Sequence, residues 1–208
     1  MKISSDSFKN GGRIPAHCAF GKINPEVHME LSDNKNPHLA WSEVPQETRS
    51  LVLICHDSDV PSRPDDVNQE GKVVPANLPR VDFYHWVLVD IPPTLASVGE
   101  GEFSNGITPR GKAGPAAPRG TRQGLNNYTQ WFAGDENMAG NYFGYDGPCP
   151  PWNDAIVHHY HFTLYATDLP RCPVEGTFSG PDVLNAIAGH VLGEAAIVGT
   201  YTLNPKAK

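Results

Sequence analysis

The chain has 208 residues and a formal net charge of −7, with 39% hydrophobic and 19% charged residues, a composition that excludes a disordered chain and a coiled coil. Its acidic balance and the absence of a Lys/Arg run argue against nucleic-acid binding, which needs a basic face to displace counterions. No apolar stretch reaches the length needed to span a bilayer, so we expect a protein that does not cross a membrane.

Glycine and proline indicate the general class of fold. The 20 glycines and 20 prolines are spread between short apolar runs, which is typical of a β-rich domain with many turns. No repeat or composition shift marks a boundary, so we predict a single domain over residues 1–208.

The four cysteines are far apart and form no CxxC motif, which predicts free thiols. Met1 to Ala19 lack the apolar region of a signal peptide, which predicts a cytoplasmic location.

Three apolar segments predict the main strands. The run from Leu51 to Cys55 is typical of a strand buried on both faces. Tyr84 to Ile91 and His158 to Thr167 are rich in aromatic and β-branched residues and predict two more strands. Strict alternation in the second strand predicts two faces, with His85, Val87, Val89 and Ile91 on one and Tyr84, Trp86, Leu88 and Asp90 on the other. The irregular segment from Leu95 to Asp146 favours a lid or an interface, and Ser62 to Arg80 is a second long excursion between strands.

The C-terminal part contains one amphipathic pattern. Apolar residues recur at helical spacing from Ser179 to Glu194, and Ser179 and Asp182 occupy the positions of a capping box. A short strand is predicted from Ala196 to Leu203. The elements together predict a mainly all-β fold, a two-sheet antiparallel β-sandwich with a peripheral C-terminal helix and long loops.

Polar side chains cluster at the ends of the three predicted strands. Asp57 and Asp59 follow the first strand, His85 begins the second, and His158 and Tyr160 begin the third, just after a Pro-rich stretch. Taken singly, the aspartates could cap turns through Asx hydrogen bonds, and a histidine at a strand end is often a rim residue. Their recurrence at strand ends makes them candidates for one site.

Five motifs in order along the chain resemble those of the phosphatidylethanolamine-binding, Raf-kinase-inhibitor-like family, in its bacterial YbhB/YbcL-like branch. They are Asn36-Pro37-His38-Leu39-Ala40-Trp41, Asp57-Ser58-Asp59-Val60-Pro61, the segment from His85 to Pro92, Gly147-Pro148-Cys149-Pro150-Pro151 with His158-His159-Tyr160-His161-Phe162, and the segment from Asp182 to Tyr201. Two positions depart from the family pattern, since Ser58 stands in place of a proline and His159 in place of an arginine.

The resemblance implies a pocket at one end of the sandwich that holds phosphate-like or carboxylate anions. Its ligand-binding residues here would be Asp57, His85, Pro148, Pro150, His158 and Tyr160, with Asp59 and Trp86 in support. A carboxylate beside a histidine raises the pKa of the imidazole, and the imidazole N–H groups and the Tyr160 hydroxyl would then donate to the anion. We therefore expect a phosphate- or carboxylate-bearing ligand similar to phosphorylethanolamine, with no metal and no cofactor.

Three other interpretations stay open. Two histidines and an aspartate are also a metal-ligand set, although no HExxH spacing supports it. Cys149 and His158 could form the Cys/His pair of a hydrolase, but no catalytic motif is recognisable, and we expect a binding protein rather than an enzyme. The family name further suggests a protein partner, a kinase or a protease that is inhibited, and the aromatic stretch from Tyr128 to Tyr145 could form a homodimer interface.

Overall fold

The structure, a computed structural model, describes residues 1–207. Its strands are β1 Lys2–Ser4, β2 Gly21–Asn24, β3 His28–Leu31, β4 Leu39–Ser42, β5 Ser50–Pro61, β6 Arg80–Ile91, β7 Ser97–Val98, β8 Arg122–Gln123, β9 His158–Thr167 and β10 Val191–Tyr201. The helices are α1 Tyr128–Trp131 and α2 Gly180–Ile187, with two 3-10 turns at Ala16–Cys18 and Pro118–Gly120.

The strands form a large sheet, a small sheet and a hairpin. The large sheet has the order β10-β9-β5-β6-β8, the small sheet the order β1-β4-β7, and β2 pairs with β3. All of these pairings are antiparallel. The long strand β5 lies in the middle and pairs with β6 on one side and β9 on the other.

The main hydrophobic core lies between the two sheets. Leu53, Trp86 and Phe162 of the large sheet pack in one cluster with Leu39 and Trp41 of the small sheet. Burial of large apolar side chains of this kind contributes roughly 1.5–3 kcal/mol each. The predicted two-sheet antiparallel sandwich is confirmed.

The opposite face of the large sheet is covered by α2 and the segment before it. Val52 and Val87 pack in a second cluster with Phe178, Val183 and Ile187. The middle of β5 is therefore buried on both faces, as the continuous apolar run predicts.

Two irregularities in β6 make the strict alternation prediction wrong. Leu51 pairs with Ile91 while Leu53 pairs with Leu88, and Asp90 between them has a φ of 62°. The extra residue rotates the chain, so Ile91 joins Trp86 in the core between the sheets. A second shift, between Cys55 and His56, leaves His85 unpaired. Bulges of this kind re-aim side chains, and the His85 ring lies 5.2 Å from that of Tyr160 on β9.

The predicted C-terminal helix is too long. The capping box is present, because the Asp182 carboxylate accepts a hydrogen bond from the backbone N–H of Ser179 and the Ser179 side chain accepts one from the backbone N–H of Asp182. The helix ends at Ile187, and Gly189 then takes a φ of 82°. Strand β10 begins at Val191, where helix was predicted, because pairing with β9 along its whole length outweighs the local helical pattern.

Candidate functional site

A cavity of about 460 Å³ lies where β5 ends and β6 and β9 begin. This volume falls within the range of small-molecule pockets. Most of its walls are apolar, and they come from the hairpin, from the segment after β5, from the segment around α1 and from the Pro-rich stretch before β9. Representative wall residues are Met29, Leu31, Val67, Trp131, Phe132, Met138 and Pro150.

The floor of the cavity carries four polar side chains, those of Asp57, His85, His158 and Tyr160. Each is almost fully buried. Asp57 and Tyr160 are register partners on neighbouring strands, which is why residues far apart in sequence meet. These are the four side chains that the sequence motifs predict to lie together.

His158 is held between two carboxylates. Its Nδ1 lies 2.7 Å from Oδ2 of Asp57, and its Nε2 lies 3.0 Å from Oδ2 of Asp154. Burial alone would lower the pKa of His158, but the hydrogen bonds to Asp154 and Asp57 outweigh it and raise the pKa to about 9. The ring is therefore an imidazolium at neutral pH and donates both N–H groups to protein oxygens. The expectation that His158 offers an N–H to a ligand is not met in this geometry.

Arg80 completes the charge balance beneath the floor. It donates two hydrogen bonds to Asp154, at 2.6 and 3.0 Å. Burial favours the neutral form of Asp154, yet the hydrogen bonds from His158 and Arg80 hold its pKa below the usual value. Two cations, His158 and Arg80, thus offset two anions, Asp57 and Asp154, and the group as a whole has no net charge.

His85 has a different electrostatic state. Its Nδ1 lies 2.7 Å from the backbone oxygen of Asp146, so Nδ1 carries the proton and donates. Burial lowers the pKa of His85 although Asp57 acts in the opposite direction. The ring is therefore neutral at pH 7, with Nε2 as a hydrogen-bond acceptor.

The carboxylate of Asp146 fixes the carbonyl that orients His85. It accepts hydrogen bonds of 2.7 Å from both Asn34 and Asn126, and Lys112 lies 3.1 Å away. Because the carboxylate is held from three sides, the position of its own backbone is fixed as well. Asp146 is thus a positioning residue for the imidazole of His85.

Tyr160 supplies a hydroxyl that the protein leaves unused. It is buried and completes no hydrogen bond within residues 1–207, although the carboxylate of Asp57 is close enough to interact with it. Burial, with a further contribution from Asp57, raises the pKa of this phenol well above its usual value of 10. Tyr160 is therefore a protonated donor at any ordinary pH. A buried hydroxyl left unsatisfied costs about 1–3 kcal/mol, which is the pattern of a group that a ligand or a water satisfies.

The other predicted site residues contribute less to the surface of the cavity. Pro150 lines the cavity, whereas Pro148 lies behind the wall and accepts a backbone hydrogen bond from Phe20. The carboxylate of Asp59 accepts from the exposed His159, away from the cavity. Trp86 is in the core and donates to Gln123. These last two residues support the strands rather than the cavity surface.

Sequence reasoning missed Asp154, Arg80 and Asp146. Asp154 lies four residues before His158, and an acidic residue so close to a motif histidine was a usable signal. Arg80 gave no such signal, because it reaches Asp154 only after the excursion 62–79 returns the chain to the sheet. Asp146 directly precedes the Pro-rich motif but acts through its backbone oxygen, which no residue type reveals.

Both rival chemistries are disfavoured by the donor groups themselves. The two nitrogens of His158 already donate to carboxylates, so His158 is poorly placed as a metal ligand. Burial raises the pKa of the Cys149 thiol to about 12, which keeps it out of the nucleophilic thiolate form. All four cysteines are free thiols.

One histidine of the hairpin, His28, stabilises the rim of the cavity. The His28 ring stacks on Trp152 with centroids 3.9 Å apart, and its Nε2 lies 2.6 Å from Glu70. These contacts join the hairpin to the excursion 62–79, whose Val67 and Asn68 line the cavity. The excursion after β5 and the segment from Leu95 to Asp146, for which a lid or an interface was expected, both contribute walls of the cavity.

The chain is thus an antiparallel sandwich with a cavity at one end, and carboxylate, imidazole and phenol groups form the floor of that cavity. The sequence profile of the phosphatidylethanolamine-binding protein family matches residues 4–202. The chain belongs to this family, as its motifs predict.

Relatives from bacteria and archaea support the assignment. A UPF0098 protein of Methanothermobacter thermautotrophicus is 32% identical, over 97% of this chain and 98% of its own. YbhB of Escherichia coli is 28% identical, over 97% of this chain and 100% of its own. The crystal structure of Escherichia coli YbcL, described as a member of the mammalian PEBP family, has a TM-score of 0.64 at 25% identity and covers 97% of each chain. Within residues 1–207, no helix has the length and apolarity to cross a membrane.

Proposed function

We propose that the protein binds an amphipathic small molecule whose anionic head group reaches the cavity floor and whose apolar part fills the cavity. The observation that carries this proposal is the unpartnered, buried hydroxyl of Tyr160 at the inner end of a mostly apolar cavity of about 460 Å³. The hydroxyl gives the head group a hydrogen-bond donor, and the walls give the rest of the ligand a surface from which water is excluded.

The charge balance of the floor limits the kind of head group. His158 and Arg80 offset Asp57 and Asp154, so no net positive charge attracts an anion. A dianion would also face the carboxylate of Asp57. The floor therefore favours a carboxylate, a monoanionic phosphate or a zwitterion such as phosphorylethanolamine, held by hydrogen bonds rather than by net charge.

His85 is the second head-group contact that we propose. Its Nε2 accepts a hydrogen bond when the ring is neutral, and donates one when the ring is protonated. A bound anion stabilises the protonated form, so anion binding takes up a proton at this ring. Pro150 and Pro151 form a rigid wall beside it.

The apolar walls should supply most of the affinity. Each buried CH₂ group contributes about 0.8 kcal/mol, so a six-carbon ligand, with four more such groups, gains up to roughly two-hundredfold over a two-carbon one. Head groups alone are then weak ligands, and acetate, phosphate and phosphorylethanolamine should compete for the same floor.

Calorimetric titration with acetate, hexanoate and hexanol tests both halves of the proposal. We expect hexanoate to bind more tightly than acetate and more tightly than hexanol, with a negative heat-capacity change from apolar burial. Equal affinities for acetate and hexanoate would contradict the use of the cavity, and equal affinities for hexanoate and hexanol would contradict the head-group site.

A pair of tyrosine variants assigns the donor. Tyr160→Phe should weaken hexanoate about tenfold and leave hexanol unaffected. The matched control is Tyr201→Phe, since the Tyr201 hydroxyl donates to Gly21 at 2.9 Å and does not line the cavity. Unchanged hexanoate binding by Tyr160→Phe would remove Tyr160 from the site.

Regulation of a kinase or protease, self-association as a homodimer and a cytoplasmic location stay predictions from the resemblance and the sequence. A phosphorylated side chain of a partner carries the same head-group chemistry, which is the link between binding and regulation that we propose. Competition of a short phosphopeptide with hexanoate would support this link, and an unaffected hexanoate isotherm would oppose it.

A further inference from the structure

A second group of potential ligands lies outside the cavity, on the far side of its wall. Within residues 1–207, His17, Cys18 and Glu100 each offer a donor atom within 4.8 Å of the other two. His17 and Cys18 belong to the 3-10 turn Ala16–Cys18, and Glu100 follows β7. We call these three residues the His17 cluster.

The distances within the His17 cluster are short but its hydrogen bonding is incomplete. Nε2 of His17 lies 3.1 Å from Oε1 of Glu100, and Sγ of Cys18 lies 3.9 Å from Oε2. The His17 Nε2 atom is nevertheless buried without a hydrogen-bond partner in the described chain. The hydroxyl of Ser7 donates to Glu100 at 2.6 Å and fixes the carboxylate. Nε2 of His17 thus lies close to the other two donor atoms without a hydrogen bond that satisfies it.

We propose that the His17 cluster binds a divalent metal ion of the zinc type. Imidazole, thiolate and carboxylate are the protein ligands of zinc, and tetrahedral bonds to them place donor atoms about 3.4–3.6 Å apart. The two separations, 3.1 and 3.9 Å, lie on either side of this range. Three protein ligands leave a fourth position for water or another donor.

The charges also suit a divalent cation. A thiolate and a carboxylate would together neutralise two positive charges, and the imidazole of His17 adds a third donor atom. Metal binding has to displace the thiol proton of Cys18, and burial followed by the charge of Glu100 raises the pKa of this thiol to about 12. We therefore expect moderate affinity, stronger for zinc or cobalt than for magnesium or calcium, which prefer oxygen ligands.

The His17 cluster is connected to the cavity wall through the backbone of Cys18. Its carbonyl oxygen accepts a hydrogen bond of 2.6 Å from Tyr145. Gly147 packs against the same carbonyl so closely that a Cβ there would lie 2.2 Å from it. A metal at the His17 cluster would hold the chain behind Pro148 and so stabilise the wall of the cavity.

Cobalt titration of the full-length, tag-free protein tests the site. We expect Co²⁺ to produce the visible bands of tetrahedral coordination and a near-ultraviolet thiolate-to-metal band, and Zn²⁺ to displace it. Cys18→Ser should abolish the thiolate band. Cys172→Ser is the matched control, because Cys172 is another buried free thiol that lies in the cluster under α2.

Substitutions at the other two ligands, whose side chains are half-exposed, keep the proposal testable if Cys18→Ser does not fold. His17→Gln and Glu100→Gln should each weaken Co²⁺ at least tenfold while the far-ultraviolet circular dichroism stays unchanged. The proposal is overturned if the thiolate band is absent from the wild type, persists in Cys18→Ser, or is equally strong in all variants.

Discussion

The two histidines at the cavity floor are the same residue type in opposite charge states. His158 donates to two carboxylates and its pKa is about 9, whereas His85 donates to one backbone carbonyl and burial lowers its pKa. Both rings are almost fully buried. The comparison teaches that burial favours the neutral form of both rings, and that only the two carboxylate partners of His158 overcome this effect. The two rings therefore have different roles. His158 stabilises the floor of the cavity, and His85 can change its protonation state when a ligand binds.

Removing the charged ring should have the largest effect. His158→Ala leaves Asp57 and Asp154 buried without their shared cation, and breaking such a group costs about 3–5 kcal/mol of unfolding free energy. Urea denaturation measures it. His159→Ala, at the exposed neighbouring position, is the control and should stay within about 0.5 kcal/mol of wild type. Equal losses in the two variants would show that the buried ion pairs are not formed.

Changing the pH should weaken the same contact without a mutation. The pKa of His158 rises from 6.5 unfolded to about 9 folded. Its contribution, on the order of 3 kcal/mol, is therefore complete below pH 6.5 and lost as the pH rises through about 9. Urea midpoints across this range should fall in the wild type and fall less in His158→Gln. Parallel curves would contradict the raised pKa.

For the neutral ring of His85, a change of pH should alter the affinity for a ligand rather than the free energy of unfolding. Because the pKa of free His85 lies below 6.5 and an anion stabilises its protonated form, hexanoate should bind more tightly as the pH falls from 8 toward 6, by at most about tenfold per pH unit. His85→Asn keeps a donor to the Asp146 carbonyl but cannot titrate. Its affinity should be independent of pH, and a slope equal to that of the wild type would assign the proton uptake elsewhere.

The smallest effect concerns the buried hydroxyl of Tyr160. Tyr160→Phe removes an unpartnered buried group, so unfolding free energy should be unchanged or slightly higher. Tyr201→Phe breaks a formed hydrogen bond and should cost about 1 kcal/mol. Thermal denaturation of the two unliganded variants separates them, and a larger loss in Tyr160→Phe would mean that its hydroxyl has a partner.

The sequence predicts most of the strands and the meeting of Asp57, His85, His158 and Tyr160, because apolar runs and short motifs are local signals. It does not predict that Asp154 and Arg80 pair with each other, since their contact depends on where the excursion 62–79 returns. The predicted helix after Ser179 is too long for a similar reason, because the pairing of β10 with β9 that ends the helix is a long-range effect. The bulge that turns His85 toward Tyr160 likewise requires the register of β5 against β6.

The self-compensated floor has a consequence for how quickly a ligand arrives. Four charges that cancel among hydrogen-bonded neighbours project little field into solvent, so an approaching anion senses mainly the overall negative charge of the chain, formally −7 when every histidine is counted as neutral. That repulsion is screened over about 8 Å at physiological ionic strength. Added salt should therefore accelerate capture of an anionic ligand, the reverse of what a positively charged funnel would show.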